Sequence, residues 1–518
     1  MGEYIIAYDV GTSCNKALLI DKNGIPIGSS IESYPIYYPD VNFAEQNPDD
    51  WWEAVCKTTK NLLENTKVKK EEIIGMTFST QMLGIVPVDK NGKLRNAIIW
   101  LDGRAIKEAD YMMKKFINSK IFALLAGAPL TGKDGMPKLL WLKNNEKEVY
   151  EKMLYFLDVD GYLIYKTTGK MVMELSNASV FGIDLKKKDW LKWIFNYIGF
   201  DTNKLPPLVK STDIVGRLTK EASIECGLLE GTPVIAGAGD ALCSSVGAGA
   251  IEEGDTHVYL GTSGWIGVLT KKHPTGKYGI AAIQSADYDY SFLFAETETA
   301  GECLRWIKEE FYKKESEDKK IQNVYALMDE EVKKVSAGSD FLIFTPWLYG
   351  ERAPINDCYA RAGFVNLCIN HKRENLLRAV YEGVGYNIRW IIEVIENGFN
   401  FKIPYLRIIG GGAKGDIWMQ IISDITNKRV EVLPYPQERG SIGAAYLGFI
   451  GLKYFENFSS LKDVVKIEKT FYPEEKNRKI YDFLYEKYKL IYKNLKKFYR
   501  DFNKEIESFK ENKECKKI

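Results

Sequence analysis

Apolar and β-branched residues fill three runs over positions 4–33, separated by turn residues. The pattern predicts a strand, a tight turn at Asp9-Val10-Gly11-Thr12-Ser13, a second strand, a turn at Asn23-Gly24 and a third strand. Asn47-Pro48-Asp49-Asp50 before Trp51-Trp52 reads as a helix start, with Val55, Leu62 and Leu63 carrying an apolar face to about Glu64. Residues 73–78 read as a buried strand that ends at Ser79-Thr80-Gln81-Met82-Leu83-Gly84, and 97–101 as an apolar run that delivers Trp100, Asp102 and Arg104 to one edge. Positions 105–170 are mainly helical in pattern.

Further on, the apolar run 233–236 leads into Gly237-Ala238-Gly239-Asp240, and residues 257–268 repeat the opening theme of strand, Gly261-Thr262-Ser263 turn and strand. Leu376, Val380, Val384, Ile388, Ile391 and Ile395 recur at three- and four-residue steps and predict one helix over 375–398. Leu406 to Ile409, the turn Gly410-Gly411-Gly412-Ala413 and a helix from Asp416 follow. From about Pro473 a basic helix carries Ile480, Leu484, Tyr488, Ile491, Leu495, Phe498 and Phe502 as one apolar stripe. That stripe fits docking on the second domain or a homodimer contact; spacing does not choose between them.

Two copies of one strand-turn-strand unit, each opening a half, point to duplicated α/β domains rather than to a solenoid with its much shorter period. The copies differ at one position of chemical interest. Asp9 stands two residues before the first glycine, and Tyr259 stands there in the second copy.

With 518 residues, 45% hydrophobic and 27% charged, the chain is long enough for two cores and is globular in composition. A net charge of +1 gives no electrostatic reason to expect nucleic acid or a membrane as partner. Eight cysteines without a Cys-x-x-Cys pair argue for reduced thiols and a cytoplasmic location, and no export signal or bilayer-length apolar run is visible.

The candidate chemistry sits at the turns. Asp9 can hold a metal ion, while Gly11, Thr12 and Ser13, with Lys16 shortly after, can hold phosphate oxygens; an ordinary hairpin turn would look the same. Gln81 could hydrogen-bond a sugar hydroxyl or be a solvated turn residue. Trp100 could face a carbohydrate or the core, and Asp102 with Arg104 could serve a ligand or form a structural pair. Asp240 could cap the helix that Ala241 begins, act as a base, or do both. Glycines at 410–412 before a helix N-terminus can lie against a nucleotide, although the pattern is neither Gly-x-Gly-x-x-Gly nor a Walker motif.

In this order the pieces resemble the FGGY family of carbohydrate kinases over residues 4 to about 455. The resemblance rests on Asp9-Val10-Gly11-Thr12-Ser13, Glu45-Gln46-Asn47-Pro48 with Trp51-Trp52, and Lys138-Leu139-Leu140-Trp141-Leu142-Lys143-Asn144-Asn145. It continues at Ser176-Asn177-Ala178-Ser179, Gly239-Asp240, Gly261-Thr262-Ser263-Gly264, Gly350-Glu351-Arg352, Gly363-Phe364 through Leu367, Asn375-Leu376 through Glu382, and the Gly410–Ala413 turn.

The resemblance implies an α/β fold of two actin-like, ribonuclease-H-like domains around a central cleft: an N-terminal domain at 1–250, a C-terminal domain at 251–455 and a helical extension at 456–518. It implies ATP and Mg²⁺ as co-substrate and cofactor, with Asp240 taking the proton of the attacking sugar hydroxyl and Asp9 serving the metal. Gly11, Thr12, Ser13, Lys16, Gly261 and Thr262 would serve the phosphates, and Gly411, Gly412, Ala413 and Asp416 the rest of the nucleotide. Gln81, Met82, Leu83, Trp100, Asp102 and Arg104 would line the pocket of a small sugar or polyol.

Within the family the Gln-Met-x-Gly, Trp-x-Asp-x-Arg and Gly-Glu-Arg stretches point to D-xylulose as acceptor. Leu83 stands where histidine is usual in that group, Ala241 where asparagine is common, and Asn366 where glycine is usual. The first two remove hydrogen-bonding groups, which leaves another ketose, a polyol or a sugar acid (ribulose, erythritol, gluconate) as alternatives. A different class, an actin-like structural or chaperone ATPase, shares the fold; Asp240 and the Gln81–Gly84 and Trp100–Arg104 turns argue against it.

Overall fold

The computed structural model describes residues 2–116 and 130–514; part of the helical stretch expected over 105–170 lies outside the described residues. In the N-terminal half, β1 (Tyr4–Val10), β2 (Cys14–Asp21) and β3 (Pro26–Ser33) form the expected antiparallel meander. Asn47 caps α1 (Pro48–Thr66) by accepting from the Asp49 N–H, as its Asn-Pro-Asp start predicts. β4 (Ile73–Thr80) then lies parallel to β1. After α2 (Val159–Thr168) and α3 (Leu175–Gly182), β5 (Ile214–Arg217) and β6 (Pro233–Gly239) complete a six-stranded sheet in the order β5-β6-β4-β1-β2-β3.

Strand β1 is buried almost throughout because both of its faces are covered. Ile6, Tyr8 and Val10 meet Trp51, Val55 and Leu62 of α1 on one side. Ile5 and Ala7 meet α4 (Asp240–Gly247) and a helix from the far end of the chain on the other.

The C-terminal half repeats this plan. β7 (Thr256–Leu260) and β8 (Gly264–Thr270) form the second hairpin, β9 (Ala281–Gln284) and β10 (Ser291–Thr297) extend it, and α5 (Gly301–Phe311) and α6 (Arg373–Phe399) follow. β11 (Tyr405–Ile409), α7 (Asp416–Thr426), β12 (Arg429–Val432), α8 (Arg439–Gly451) and β13 (Lys469–Phe471) complete a seven-stranded sheet in the order β9-β10-β8-β7-β11-β12-β13. β7, β8, β11, β12 and β13 pair as β1, β2, β4, β6 and β5 do, including the parallel contacts and the antiparallel edge strand. Val258, Leu260, Ile266 and Val268 pack with Val380, Val384 and Ile391 of α6 on the outer face.

Helices α4 and α8 cross between the two sheets. Added Cβ atoms would lie 1.9 Å from the Arg439 carbonyl oxygen at Gly247 and 1.8 Å from the Cys243 carbonyl oxygen at Gly443, so only paired glycines permit this backbone approach. Leu242, Val246, Ile442 and Leu447 share one core with Ile5, Ala7, Leu269 and Phe292, which joins the inner faces of both halves.

The last helix, α9 (Glu475–Glu514), docks on the C-terminal half through Tyr481, Leu484, Tyr485 and Tyr488. The expected stripe is therefore rotated: Leu484 and Tyr488 are inside, but Phe498 and Phe502 are exposed and stack on each other at 5.3 Å. Hydroxyls explain the shift, because Tyr481 donates to Glu382 and Tyr488 to Asn387, so tyrosines with polar tips are the buried side. No helix among the described residues is long and apolar enough to cross a membrane.

Candidate active site

Strands β1, β4 and β6 run parallel and end at the same edge, which brings Asp9, Ser79 and Gly239-Asp240 together. Asp240 is the first residue of α4, and Gly239 occupies the cap position, so Asp240 does not cap the helix as the sequence allowed. Its carboxylate accepts from the Ala241 N–H at 2.7 Å. Burial, then the negative charge of Asp9, pushes its carboxyl up to about 7. Asp9 is raised in the same direction by burial, opposed by the hydroxyl of Ser79, which donates to Oδ1 at 3.0 Å, and by Lys16. Its Oδ2 faces Gly440 in the first turn of α8. Two half-buried carboxyls thus lie beside one another at the end of the sheet, each raised by loss of solvent.

Asp240 is braced from α3. The Gly239 N–H donates to Ser176 Oγ at 3.3 Å, and the Ser176 hydroxyl donates to Glu174. Glu174 also caps α3 by accepting from the N–H groups of Ser176 and Asn177. A Cβ on Gly239 would lie 2.7 Å from Met82 Sδ and 3.0 Å from Asn177 Oδ1, so Met82 reaches the turn that carries Asp240. Leu83 adopts φ 62°, a left-handed conformation uncommon for leucine.

The first hairpin turn is tied to the sugar-pocket candidates. Trp100 donates its indole N–H to Thr12 Oγ1 at 2.8 Å. Gln81 donates to Gln46 Oε1 at 2.8 Å, and Gln46 donates to the Thr12 carbonyl at 2.7 Å. Gln81 Oε1 is buried without a protein partner and is the free acceptor of that chain. Asp102 and Arg104 form a buried pair, with Arg104 also bonded to Glu45 at 2.7 Å and lying over the rings of Phe43 and Trp141. The structural half of the expectation for this pair is accordingly filled by protein contacts.

The nucleotide candidates lie mainly on the other half. The Gly261 and Thr262 carbonyls accept from the N–H groups of Gly301, Ala300 and Glu302 at the start of α5, at 2.8–3.1 Å. Gly410 adopts φ 90° and, with Gly412, packs against Leu260, which places the Gly411–Ala413 turn beside the second hairpin. Asp416, in the first turn of α7, pairs with Lys469 at 2.8 Å on the exposed side. Lys16 pairs with Glu438, directly before α8, at 2.8 Å and so bridges the halves.

Sequence reasoning missed Ser79, Glu174 and Gly440. Ser79 had a usable signal, since it shares the strand end with Gln81; Gly440 had none, because α8 lies some four hundred residues from Asp9 in the chain.

Comparison with known proteins gives the chain its family. Residues 4–247 match the N-terminal domain, and residues 257–452 the C-terminal domain, of the FGGY family of carbohydrate kinases. The chain belongs to that family and is an ATP-dependent carbohydrate kinase. It is 32% identical over 492 residues to xylulose kinase of Bacillus subtilis, covering 94% of this chain and 96% of the relative. It is 30% identical over 485 residues to gluconokinase of the same organism, covering 93% and 94%. Among solved structures, ligand-bound xylulose kinase from Lactobacillus acidophilus superposes with a TM-score of 0.86 at 26% identity, covering 96% of this chain and 100% of that one. Gluconate kinase from the same organism gives 0.87 at 26%, covering 96% and 99%.

Proposed function

We propose that the protein transfers the γ-phosphoryl group of ATP to a hydroxyl of D-xylulose, giving D-xylulose 5-phosphate, with Asp240 as general base. The observation that carries the mechanism is the half-buried Asp240 carboxyl beside Asp9 at the shared end of β1, β4 and β6. A carboxyl raised to about 7 is half ionised near neutrality and can accept a proton there. D-Xylulose is favoured by the xylulose kinases among the similar proteins.

Asp9 fits Mg²⁺ chemically. It is a hard oxygen donor whose charged form is disfavoured by burial and would be favoured by a bound cation. Mg²⁺ commonly relies on one or two carboxylates together with water and phosphate oxygens. Bound there, it would neutralise phosphate charge and lower both carboxyls. Thr12, Ser13, Lys16, Gly261 and Thr262 would orient the phosphates, and the turn at Gly411, Gly412 and Ala413 the nucleoside. Gln81 and Met82 would face the acceptor. The units doing this would be residues 1–250 and 251–455, with 456–518 as an extension.

Phosphoryl transfer asks the protein mainly for alignment and charge neutralisation. Asp240 removes the hydroxyl proton as the oxygen attacks, and the two halves keep water from competing as acceptor. A second reading, phosphorylation of a sugar acid such as gluconate, is favoured by one observation: a gluconokinase and a gluconate kinase structure stand among the similar proteins at nearly the same identity and TM-score as the xylulose kinases. Acceptor-dependent ADP release across ketoses, polyols and sugar acids tests both. D-Xylulose should give the highest kcat/KM; a gluconate maximum supports the second reading, and ATP-driven polymerisation without any acceptor overturns both.

A further inference from the structure

One group in the cleft has no part in the mechanism so far. Tyr259 lies on β7 two residues before Gly261, the position that Asp9 holds before Gly11. Its ring packs on Gly261, where an added Cβ would come within 2.4 Å of Cε1 and 2.8 Å of the hydroxyl. It stacks on Trp265, directly opposite in the hairpin, with centroids 3.9 Å apart and planes 8° from parallel.

Trp265 is fixed in turn. Its indole N–H donates to His257 Nε2 at 3.1 Å, and burial pushes His257 down to about 3, so that ring stays neutral and accepts. The side chains of His257, Tyr259 and Trp265 leave the sheet on the face turned toward the N-terminal half, opposite Val258, Leu260 and Ile266 in the outer core.

We propose that Tyr259 is a catalytic residue of the phosphoryl transfer, its hydroxyl donating a hydrogen bond to a non-bridging oxygen of the γ-phosphoryl group as it passes to the sugar. This rests on the kinase reading above. The ring lies against the Gly261-Thr262-Ser263 turn, on the sheet face turned toward the N-terminal half, and its phenol is near enough to feel the charges of Asp9 and Asp240. Burial, with the charges of Asp9 and Asp240, pushes the phenol up to about 12, which keeps it a donor throughout the neutral range. A rigid stack lets a single O–H be aimed without an entropic penalty at the moment of reaction, as preorganised donors to developing charge require.

The test compares wild type, Tyr259→Phe and Trp265→Phe in steady-state kinetics with MgATP and the acceptor that wild type turns over, together with thermal unfolding. Tyr259→Phe keeps the stack and removes only the hydroxyl. Its kcat should fall on the order of tenfold to a hundredfold, with KM for ATP and sugar within about twofold, the signature of an interaction made only in the transition state. Trp265→Phe keeps the hydroxyl and should lose clearly less. A Tyr259→Phe kcat within twofold of wild type overturns the proposal. So does a raised sugar KM at unchanged kcat, which would make the phenol an acceptor-binding group, or equal losses in both variants, which would make the stack structural. If wild type itself turns over no acceptor, the kinase reading fails instead.

Discussion

The two hairpins share Gly-Thr-Ser and diverge in everything around it. In the first, Asp9 pairs across the strands with Lys16, and the turn from Val10 to Asn15 is one residue longer than the turn from Leu260 to Gly264 in the second. In the second, the matching cross-strand pair is Tyr259 with Trp265, an uncharged stack. The same backbone unit therefore brings charge to the cleft from one half and a rigid aromatic surface from the other. A duplicated fold keeps its pairing and its cores because many side chains enforce them together. Single positions at strand ends are free to change chemistry, and there the two halves have divided the work.

The division can be broken first on the charged side. Asp240→Asn should lower kcat by about 10²–10⁴-fold while ATP affinity, measured by calorimetry, changes by less than about threefold. Retained turnover would remove the base from the N-terminal half. The pH dependence sharpens the same point. Asp240 is raised to about 7 by burial and by Asp9, so the acid form dominates below that pH and kcat/KM should drop about tenfold per unit on the acid side. A group whose folded pKa is raised loses stability as pH climbs from its unfolded value near 4 to its folded value. Asp240→Asn should accordingly melt above wild type at pH 8 and converge with it toward pH 4; the reverse order would contradict the burial of this carboxyl.

Smaller effects test what supports the charges. Asp9→Asn should raise the Mg²⁺ concentration for half-maximal rate by roughly tenfold or more, since a neutral amide is a poor ligand for a hard cation. An unchanged Mg²⁺ titration would assign the metal elsewhere. Ser176→Ala removes the acceptor of the Gly239 N–H and should cut kcat by about tenfold, a local misplacement of the base with KM unchanged. Equal loss in KM would mean that α3 holds the pocket rather than Asp240. The smallest change is Leu83→His, expected to raise kcat/KM for D-xylulose about three- to tenfold by adding one hydrogen-bonding group; no gain would mean that this turn does not set selectivity.

Much of this was legible beforehand. The meander, the Asn47 start of α1, the long α6 and the strand-glycine-helix unit at Gly410 are set by apolar runs, caps and turn residues within a few positions of one another. Asn366, a departure from the family pattern, adopts φ 70°, a left-handed conformation that asparagine tolerates better than most residues, which accounts for its standing in for glycine. The rotated face of α9 was not legible, since period alone does not separate a stripe that ends in tyrosine hydroxyls from one that ends in phenylalanines. The Asp102–Arg104 pair was one of the two readings open in the sequence, but the Ala44 N–H that also holds Asp102 was not legible, because it comes from some sixty residues away.

The sequence by itself determined the two α/β halves, their Gly-Thr-Ser turns, Asp240 as the carboxylate of interest and the resemblance that ordered them, because each is a local pattern or a set of such patterns in fixed order. The tertiary structure alone decided that Asp9 sits beside Asp240, that Gly440 closes over it, that Thr12 is tied to Trp100, and that Tyr259 faces the cleft. Those are distances between segments far apart in the chain, and they follow from the registry of parallel strands and the glycine-permitted crossing of α4 with α8, which no local pattern encodes.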